Sequence, residues 1–572
     1  MQPHRVNHTS TERHALNLAM RAQWPLLWRA WVLSLICGLL VLAPMLYMFQ
    51  VYGGVVESRS PLTLLMLFVI LLWALVVLSV MDWHRSKLLR ACGQKIEAAL
   101  QVRVFDATVN AQLVRGKTGW GQPLHDLRVV REVWSNPGVN AFMELPLVVM
   151  FLLMLYWVHP MLALTSLVCV MLQASVGAWF LRRGAPHIGA SQSATAKSEV
   201  IASNMQQHHE VVHAMGMLDA VDARWRNHHR ASLISGFQAA RQSLGLISLS
   251  KALQVGLGSV LLGLSAWFLL EHNLSGGSAM MIVASTLGGR VLAPFSQLFL
   301  HARTLVNAKD SAQRLASLLT QTTATTAPMS LPAPQGHLLV ESLSGGAPNF
   351  EGSALRGIQF ELKPGEVLAV MGATGSGKST LAHLLLGVWP ALAGKVRLDG
   401  ADIALWPRES LGPSLGYVPQ SIELMEGTVW DNLTRFDGSD LRTLNQVLQT
   451  LPTGWLDFVQ DLPEGWLTQV GRGGEALSTG QSQRLIIARA LYGQPTLVIM
   501  DEPNSALDDA ADRQLRELVL AHKARGCTFV VMTHRMSLVN LADKVLWLER
   551  GLQKQFGSKD AVIGQMRAGA TA

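Results

Sequence analysis

Six apolar runs follow one another in the first 305 residues of the chain. A helix needs about 20 apolar residues to cross the hydrocarbon core of a bilayer, and each run is close to that length. One such run is also typical of a buried helix in a soluble protein, but six in succession are not. The sequence therefore predicts an all-α transmembrane domain with six spans, at roughly 29–51, 61–82, 142–158, 160–181, 246–271 and 276–301.

The second half of the chain has a different composition. Apolar residues make up 49% of the whole sequence, and their excess lies before residue 305, whereas the sequence after residue 330 has the composition of a soluble α/β domain. A segment rich in Thr and Pro joins the halves, as is typical of linkers. We expect a multidomain membrane protein with a cytoplasmic N-terminal segment (1–24), a six-span transmembrane domain (25–320), a linker (321–335) and a soluble domain (336–572).

Basic residues set the expected orientation in the membrane. They are concentrated in the two long segments between spans two and three and between spans four and five, whereas the short alternate loops hold little besides Arg59. Because basic loops stay on the cytoplasmic side, we expect the N-terminus, both long segments and the soluble domain in the cytoplasm. Arginines beside the spans also account for much of the net charge of +8, which disfavours nucleic acid as a partner.

The N-terminus and the cysteines predict neither processing nor metal binding. The first apolar run follows a polar stretch and has Arg29 near its start, so we expect a retained membrane anchor rather than a cleaved signal peptide. Cys37, Cys92, Cys169 and Cys527 lack the spacing of metal ligands, and we expect free, packed thiols.

The soluble domain contains a phosphate-binding pattern between a strand-like run, 367–371, and a helix-like run. Glycines there let backbone N–H groups turn toward a phosphate at a helix start, where anions are favoured. Lys378 is expected to reach the β- and γ-phosphates of ATP, and Ser379 to bind Mg²⁺. The expected ATP-binding residues are Gly372, Ala373, Thr374, Gly375, Ser376, Gly377, Lys378, Ser379 and Thr380.

Two later strand patterns end in residues suited to ATP hydrolysis. Asp501 ends the first and is expected to hold Mg²⁺ through water, while Glu502 is expected to polarise the water that attacks the γ-phosphate. The plainer interpretation of Glu502 is a helix-capping acid. His534 follows the second pattern, 528–532, and could contact the γ-phosphate or be an ordinary core or surface histidine.

Together with Gln420 and the stretch 477–481, these blocks resemble the nucleotide-binding domain of ATP-binding-cassette (ABC) transporters. The resemblance implies an α/β P-loop NTPase fused to the six-helix domain, as in ABC exporters. It also implies a Q-loop at Gln420 that supplies a third Mg²⁺ ligand, a D-loop at Asp508 and an H-switch at His534. The implied signature motif is Ser478, Thr479, Gly480 and Gln481.

The resemblance further implies an ATP site shared between two copies of the chain. Ser478 and Gly480 of one subunit would close over ATP held by Lys378 of the other, so the expected unit is a homodimer. Thr479 stands where the family usually has glycine. Phe350 is the nearest candidate for stacking on adenine, with a packing residue as the alternative.

The long cytoplasmic segments are expected to extend pairs of spans below the membrane and to contain short transverse helices. The expected positions are 122–131 and 204–217. In ABC exporters such helices pass the movement of the nucleotide-binding domain to the membrane. His208, His209 and His213 lie in the second segment, where a solvated polar face is favoured over a metal site.

Finer similarity extends from about residue 25 to 560 and concerns type I secretion ATPases of the protease- and lipase-exporting kind. It is carried by the stretches 42–52, 58–60, 214–217, 289–294 and 501–505. It implies export of an unfolded polypeptide with an uncleaved C-terminal signal from a Gram-negative cytoplasm. The implied partners are a second copy of the chain, a periplasmic adaptor, an outer-membrane channel, the secreted polypeptide and membrane lipid. The short segment before the first span predicts no leader-peptidase activity.

Two alternative functions are also compatible with the sequence. The alternatives are a lipid or small-molecule flippase and a regulatory or receptor-like membrane protein, although intact Lys378, Glu502 and His534 disfavour the latter.

Arg290 lies inside the sixth span. Because an intramembrane arginine is costly, we expect it to face a polar cavity or a carboxylate, with snorkelling to the interface as the alternative.

Overall fold

In the computed structural model, the described residues are 14–115, 122–271, 277–322, 331–348, 352–471, 474–475 and 477–570. The chain divides into two compact units, Met1–Val109 with Gly119–Thr323 and Asn110–Thr118 with Ala324–Ala572. The first half is helical. Its helices are α1 (His14–Ala22), α2 (Trp24–Leu40), α3 (Ala43–Gln50), α4 (Val56–Ser58), α5 (Pro61–Arg115), α6 (Gln122–Val133), α7 (Pro137–Val158), α8 (Pro160–Gln207), α9 (His209–Ala214), α10 (Leu218–Leu270), α11 (Gly277–Leu300) and α12 (Ala302–Thr322).

Within the described residues, six helical segments are long and apolar enough to cross a membrane, which confirms the number of spans. Their bounds are Trp24–Ser58, Pro61–Leu113, Gln122–Val158, Pro160–Trp179, Ile247–Leu270 and Gly277–Leu300. The protein is therefore a multi-pass membrane protein. Three of the helices, α5, α8 and α10, run well past their apolar stretches, because polar residues continue a helix once its hydrogen-bond ladder has started.

The first span is not one continuous α-helix. A turn separates α2 from α3, which has Pro44 in its first turn, and a π-helical turn, Val51–Val55, follows α3. Proline has no N–H to bond the carbonyl four residues earlier, so the helix restarts there. The π-turn contains Gly53 and Gly54, and the span ends at Arg59 in the left-handed conformation, with φ 49°.

The spans pack around an apolar core drawn from α3, α7, α8, α10 and α11. By contrast, only 6% of the most apolar window of α5 is buried within the chain, as suits a surface that faces lipid. Gly258 permits close packing, since a Cβ there would lie 3.3 Å from the Ser285 carbonyl oxygen. Around Gly256 and Gly263 there is open space within the chain.

Two polar networks tie helices of this unit together. Gln173 of α8 donates to Ser250 of α10, and the hydroxyls of Ser250 and Ser296 are 2.8 Å apart. Outside the apolar core, the buried carboxylate of Asp126 on α6 accepts two bonds from Arg314 on α12. The first predicted transverse segment is thus a helix, α6, that packs on α12, and the second contains the short helix α9.

The second half is built on one large mixed sheet. Its strands are β1 (Leu338–Gly345), β2 (Leu355–Leu362), β3 (Val367–Met371), β4 (Ala393–Leu398), β5 (Ala401–Asp402), β6 (Leu415–Val418), β7 (Gly427–Thr428), β8 (Gln469–Val470), β9 (Leu497–Asp501), β10 (Thr528–Met532), β11 (Lys544–Glu549) and β12 (Leu552–Ser558). Ten of them form the order β5-β4-β1-β2-β12-β11-β3-β10-β9-β6, and β7 pairs with β8.

Helices cover the sheet and form two apolar layers. They are α13 (Lys378–Leu385), α14 (Arg408–Leu411), α15 (Val429–Leu433), α16 (Leu444–Leu448), α17 (Thr479–Leu491), α18 (Asp509–Ala524), α19 (Met536–Val539) and α20 (Lys559–Ala570). Alternate residues of β3 belong to different cores, with Val367 and Ala369 in one and Leu368 and Val370 in the other. Because β3 is buried on both faces, it needs apolar side chains at successive positions, and this explains the continuous apolar run in the sequence.

Candidate active site

The candidate ATP site lies at one edge of four adjacent parallel strands. In the order β3-β10-β9-β6, each strand pairs in parallel with its neighbour. Their carboxyl ends therefore meet at the same edge, where ligands bind in open α/β sheets. The phosphate loop follows β3, His534 follows β10 after one residue, Asp501 ends β9 and Gln420 follows β6 after one residue.

The phosphate loop owes its shape to glycines in the left-handed region. Gly375 has φ 81°, and Gly377, which precedes the first residue of α13, has φ 102°. A Cβ at Gly377 would also lie 2.6 Å from the side chain of Leu355. A larger residue is therefore disfavoured at both positions by the backbone conformation, and at Gly377 also by steric overlap. Thr380 lies in the first turn of α13.

Lys378 is nearly buried and turns back into the phosphate loop. Its Nζ donates to the carbonyl oxygens of Gly372, at 2.7 Å, and Ala373, at 3.1 Å. Beside it, the buried hydroxyl oxygen of Ser376 has no hydrogen-bond partner in the described part of the chain. A positive amine and an unsatisfied hydroxyl inside a cradle of backbone N–H groups suit the oxygens of a polyphosphate.

Asp501 fits a role in holding a divalent cation. It is 2% exposed, and its Oδ2 atom has no hydrogen-bond partner among the described residues. Burial raises the pKa of Asp501, although a hydrogen bond from Ser379 opposes this shift. A cation bound by Ser379 and Asp501 would offset the cost of burying the carboxylate. The donor set is hydroxyl and carboxylate oxygen, the type that Mg²⁺ prefers.

Glu502 adopts an uncommon backbone conformation at the end of β9. Its φ is 49°, in the left-handed region that non-glycine residues rarely occupy. Its N–H donates to the Met532 carbonyl oxygen at 2.9 Å, which ties it to the end of β10. Its Oε1 lies 3.5 Å from Nδ1 of His534. The two residues that the sequence singles out for hydrolysis therefore stand side by side.

Gln420 stands at the expected edge without a fixed contact. Its side chain is exposed, and within the described part of the chain it makes no hydrogen bond. The neighbouring Tyr417 on β6 is half-buried, and burial, followed by the charge of Asp501, raises its pKa to about 12. The structure thus brings Gln420 to the site, while its part in Mg²⁺ binding stays a prediction.

The signature motif forms the capped start of α17. The hydroxyl oxygen of Ser478 accepts from the Gln481 N–H at 3.2 Å, and the Gln481 side chain accepts from the Ser478 N–H at 2.8 Å. Because the Ser478 oxygen is the acceptor in this capping box, its hydroxyl proton is available to an anion. Thr479 is exposed, whereas a Cβ at Gly480 would lie 3.2 Å from the Ala506 carbonyl oxygen.

Gln483 was missed by the sequence analysis. Its buried side chain donates to the Pro503 carbonyl oxygen and accepts from the Ala506 N–H at 2.9 Å. It therefore joins the signature helix to the segment that follows Glu502. Asp508 lies at the end of this segment, caps α18 by accepting from the Ala511 N–H at 2.7 Å, and is 3.5 Å from Arg484. A polar residue on the buried face of α17 was the available signal.

His383 was also missed. It lies on α13, where its Nδ1 is 2.7 Å from the Ser379 carbonyl oxygen and its ring stacks on Trp389. Both contacts hold the helix turn that carries Ser379. Phe350, the candidate for adenine stacking, lies outside the described residues. The loop histidines 208, 209 and 213 are exposed, and the described residues hold no group of three metal-ligating side chains.

Comparison with known proteins agrees with this site and with the membrane unit. Residues 355–505 match the ABC transporter family, and residues 27–291 match the ABC transporter transmembrane region. The type I secretion system ATP-binding protein PrsD of Rhizobium meliloti is 34% identical over 94% of this chain and 92% of its own length. This confirms the predicted resemblance to type I secretion ATPases.

Two other relatives differ in how much they share. The cyclolysin secretion/processing ATP-binding protein CyaB of Bordetella pertussis is 26% identical over 93% of this chain and 75% of its own. The ATP-dependent lipid A-core flippase of Chromobacterium violaceum is 34% identical over 41% of this chain and 40% of its own.

A solved structure of a bacterial Atm1-family ABC exporter with ATP bound has the same fold. It superposes with a TM-score of 0.80 at 20% identity, over 97% of this chain and 99% of that one. The chain therefore belongs to the ABC transporter family, as an exporter that binds and hydrolyses ATP to drive transport.

Proposed function

We propose that this exporter is the ATP-driven inner-membrane component of a type I secretion system and moves an unfolded polypeptide with a C-terminal signal out of the cytoplasm. The observation that carries the proposal is similarity along the whole chain to the type I secretion protein PrsD, over 94% of this chain and 92% of that one. The similarity to the lipid A-core flippase of Chromobacterium violaceum extends over only 41% of this chain.

ATP hydrolysis is assigned to the edge of β3, β10, β9 and β6. Ser379, Asp501 and Gln420 would hold Mg²⁺, which neutralises charge on the phosphates. Glu502 would orient and polarise the attacking water, and His534, 3.5 Å away, would hold the γ-phosphate beside it. Lys378 would contribute the positive charge within the phosphate loop.

The functional unit is proposed to be a homodimer in which each ATP site is completed by the signature motif of the other copy. Ser478 and Thr479 are exposed at the start of α17, open to a second chain. Exposed apolar residues on the part of α10 before its span, among them Leu233, Ile234 and Phe237, are a further surface that pairing would cover. The domain boundaries at 24, 320 and 335, and the cytoplasmic location of the ATPase unit, belong to the same proposal.

The test is a secretion system rebuilt in cells. The exporter is expressed with the adaptor, the outer-membrane channel and a candidate cargo encoded beside its gene. We expect export of the cargo, and we expect removal of its C-terminal few dozen residues to abolish export while its synthesis continues. Export that survives this deletion but needs an N-terminal leader would place the chain in another class of exporter.

A parallel measurement separates secretion from lipid flipping. The purified protein is reconstituted in liposomes that contain a fluorescent lipid, and ATP-dependent movement between leaflets is followed. The proposal expects no movement above that of the Glu502→Gln variant. Robust flipping together with failed secretion would favour the flippase alternative.

A further inference from the structure

A charged cavity lies within the membrane unit, among α2, α5, α7 and α11 of one chain. Its volume is about 330 Å³, and its walls include Asp82, Arg85, Glu144 and Arg290, with Cys37 and Phe151 among the other residues. Arg290 was expected to face a polar cavity or a carboxylate; it lines a cavity with charged walls, and both carboxylates there pair with Arg85. Snorkelling to the interface is therefore not needed to explain this arginine.

The cavity lies toward the expected cytoplasmic side of the membrane. At the rise of an α-helix, Glu144 is about 10 Å from the start of α7, and Arg290 is about 15 Å from the end of α11. The orientation predicted from the basic segments puts both of these helix ends on the cytoplasmic side. A group that enters from the cytoplasm would meet this cavity before the middle of the bilayer.

The two arginines of the cavity are in different electrostatic situations. Arg85 is buried, bonds Glu144 at 2.8 Å, pairs with Asp82 and donates to the Ser34 hydroxyl at 3.3 Å. Arg85 is thus the ion-pair partner of both carboxylates of the cavity. Arg290 is exposed, and no ion pair or hydrogen bond of its side chain exists within the described part of the chain.

A guanidinium without a counter-ion at this depth is suited to an anion that the chain itself does not supply. Desolvation is expensive for an intramembrane arginine, and the planar fork of its N–H donors matches a carboxylate in a bidentate pair. We propose that this cavity is a binding site for a carboxylate of the transported polypeptide, with Arg290 as the residue that pairs with it. The choice of a polypeptide carboxylate rests on the secretion function proposed above.

Peptide binding to the purified full-length protein tests the site. The protein is placed in nanodiscs of neutral phosphatidylcholine, and fluorescence anisotropy follows a fluorescein-labelled Glu-Gly repeat peptide and its Gln-Gly counterpart. Charge-assisted hydrogen bonds predict that the acidic peptide binds about tenfold more tightly. Arg290→Gln should remove this preference, and Arg290→Lys should keep part of it. Arg303→Gln, on α12 outside the cavity, should leave it unchanged.

A variant with the opposite expected effect strengthens the test. Glu144→Gln removes one partner of Arg85, so a second guanidinium becomes available and the affinity for the acidic peptide should rise. If the two peptides bind wild-type protein equally or not at all, or if Arg290→Gln binds as wild type does, the site is overturned. Loss of the preference when glycerol phosphate is added to the neutral nanodiscs at constant ionic strength would give the site to lipid phosphate and overturn the polypeptide assignment.

Two further measurements distinguish pairing of Arg290 with a second copy from peptide binding, and the cavity from the secretion function. If Arg290 pairs with a second copy instead, Arg290→Gln should turn dimers into monomers in mass photometry, and that result would also overturn the site. Binding needs neither adaptor nor channel. Failed secretion with intact peptide preference would therefore count against the secretion function alone, whereas intact secretion without the preference would count against the cavity alone.

Discussion

Glu502 and His534 leave neighbouring parallel strands and meet with 3.5 Å between Oε1 and Nδ1. The N–H of Glu502 donates to the carbonyl oxygen of Met532, the last residue of β10. This bond holds the Glu502 backbone against the strand that leads to His534. Strained backbone at a non-glycine residue is often found at functional sites. Here it brings a carboxylate to the edge of the sheet beside the phosphate loop.

Glu502→Gln should bind ATP but hydrolyse it slowly. Loss of the polarising carboxylate is expected to lower steady-state ATPase activity by about a hundredfold or more, while Lys378 and Ser379 keep their contacts with nucleotide. Activity and nucleotide affinity are measured on purified protein. Glu517→Gln, an exposed position on α18, is the matched control. Activity close to wild type in Glu502→Gln would refute the assignment.

The signature motif should tolerate change at Thr479 better than at Gly480. Thr479 is exposed, so Thr479→Gly is expected to leave ATPase activity within about threefold, with a loss of helix stability of only about 0.3 kcal/mol. A Cβ at Gly480 would lie 3.2 Å from the Ala506 carbonyl oxygen. Gly480→Ala must therefore displace the segment between Glu502 and Asp508, and it should lower the ATPase activity more than Thr479→Gly does. Equal effects of the two changes in the same ATPase assay would contradict this difference.

Asp126 and Arg314 should stabilise the packing of α6 on α12. Their bond is bidentate, and the Asp126 side chain is buried, although Arg314 is partly exposed. Arg314→Lys cannot reproduce the forked geometry and is expected to lower the free energy of unfolding by about 1–3 kcal/mol.

The measurement is thermal unfolding of the detergent-solubilised protein, with a double-mutant cycle that includes Asp126→Asn. Arg226→Lys serves as a control, because its pair with Asp222 is exposed on both sides and such pairs contribute little. A coupling energy near zero between Asp126 and Arg314 would mean that the pair does not stabilise the unit.

Cys527 should resist alkylation in the folded protein. Burial raises the pKa of its thiol to about 12, so at pH 8 the thiol stays protonated, and only the thiolate reacts. The raised folded value also means that stability falls as pH rises above the ordinary thiol pKa of about 8.5. Mass spectrometry after N-ethylmaleimide treatment should find Cys527 modified only in denaturant. Rapid modification of native protein at pH 8 would contradict the burial.

Features that depend on local patterning could be predicted from the sequence. The six spans follow from the length of apolar runs, and the phosphate loop follows from a strand, glycines and a helix within one short stretch, ending at Ser379. The first span was harder, because the break at Pro44 and the π-turn after it interrupt a run whose hydropathy is continuous. Hydropathy reports only burial in lipid and carries no information about which hydrogen-bond ladder forms.

Features that depend on distant parts of the chain were decided by the tertiary structure. Gln420, Asp501 and His534 share an edge because β6, β9 and β10 are neighbours, an order that differs from a simple succession along the chain. The contacts of Gln483 and the pairing of Arg85 with Glu144 likewise depend on which faces the helices turn toward each other. The sequence by itself determined the spans, the phosphate loop and the kind of chemistry. Packing alone decided that Arg85 takes the carboxylates while Arg290 is left without one, because a counter-ion is chosen by distance in space and not by position in the chain.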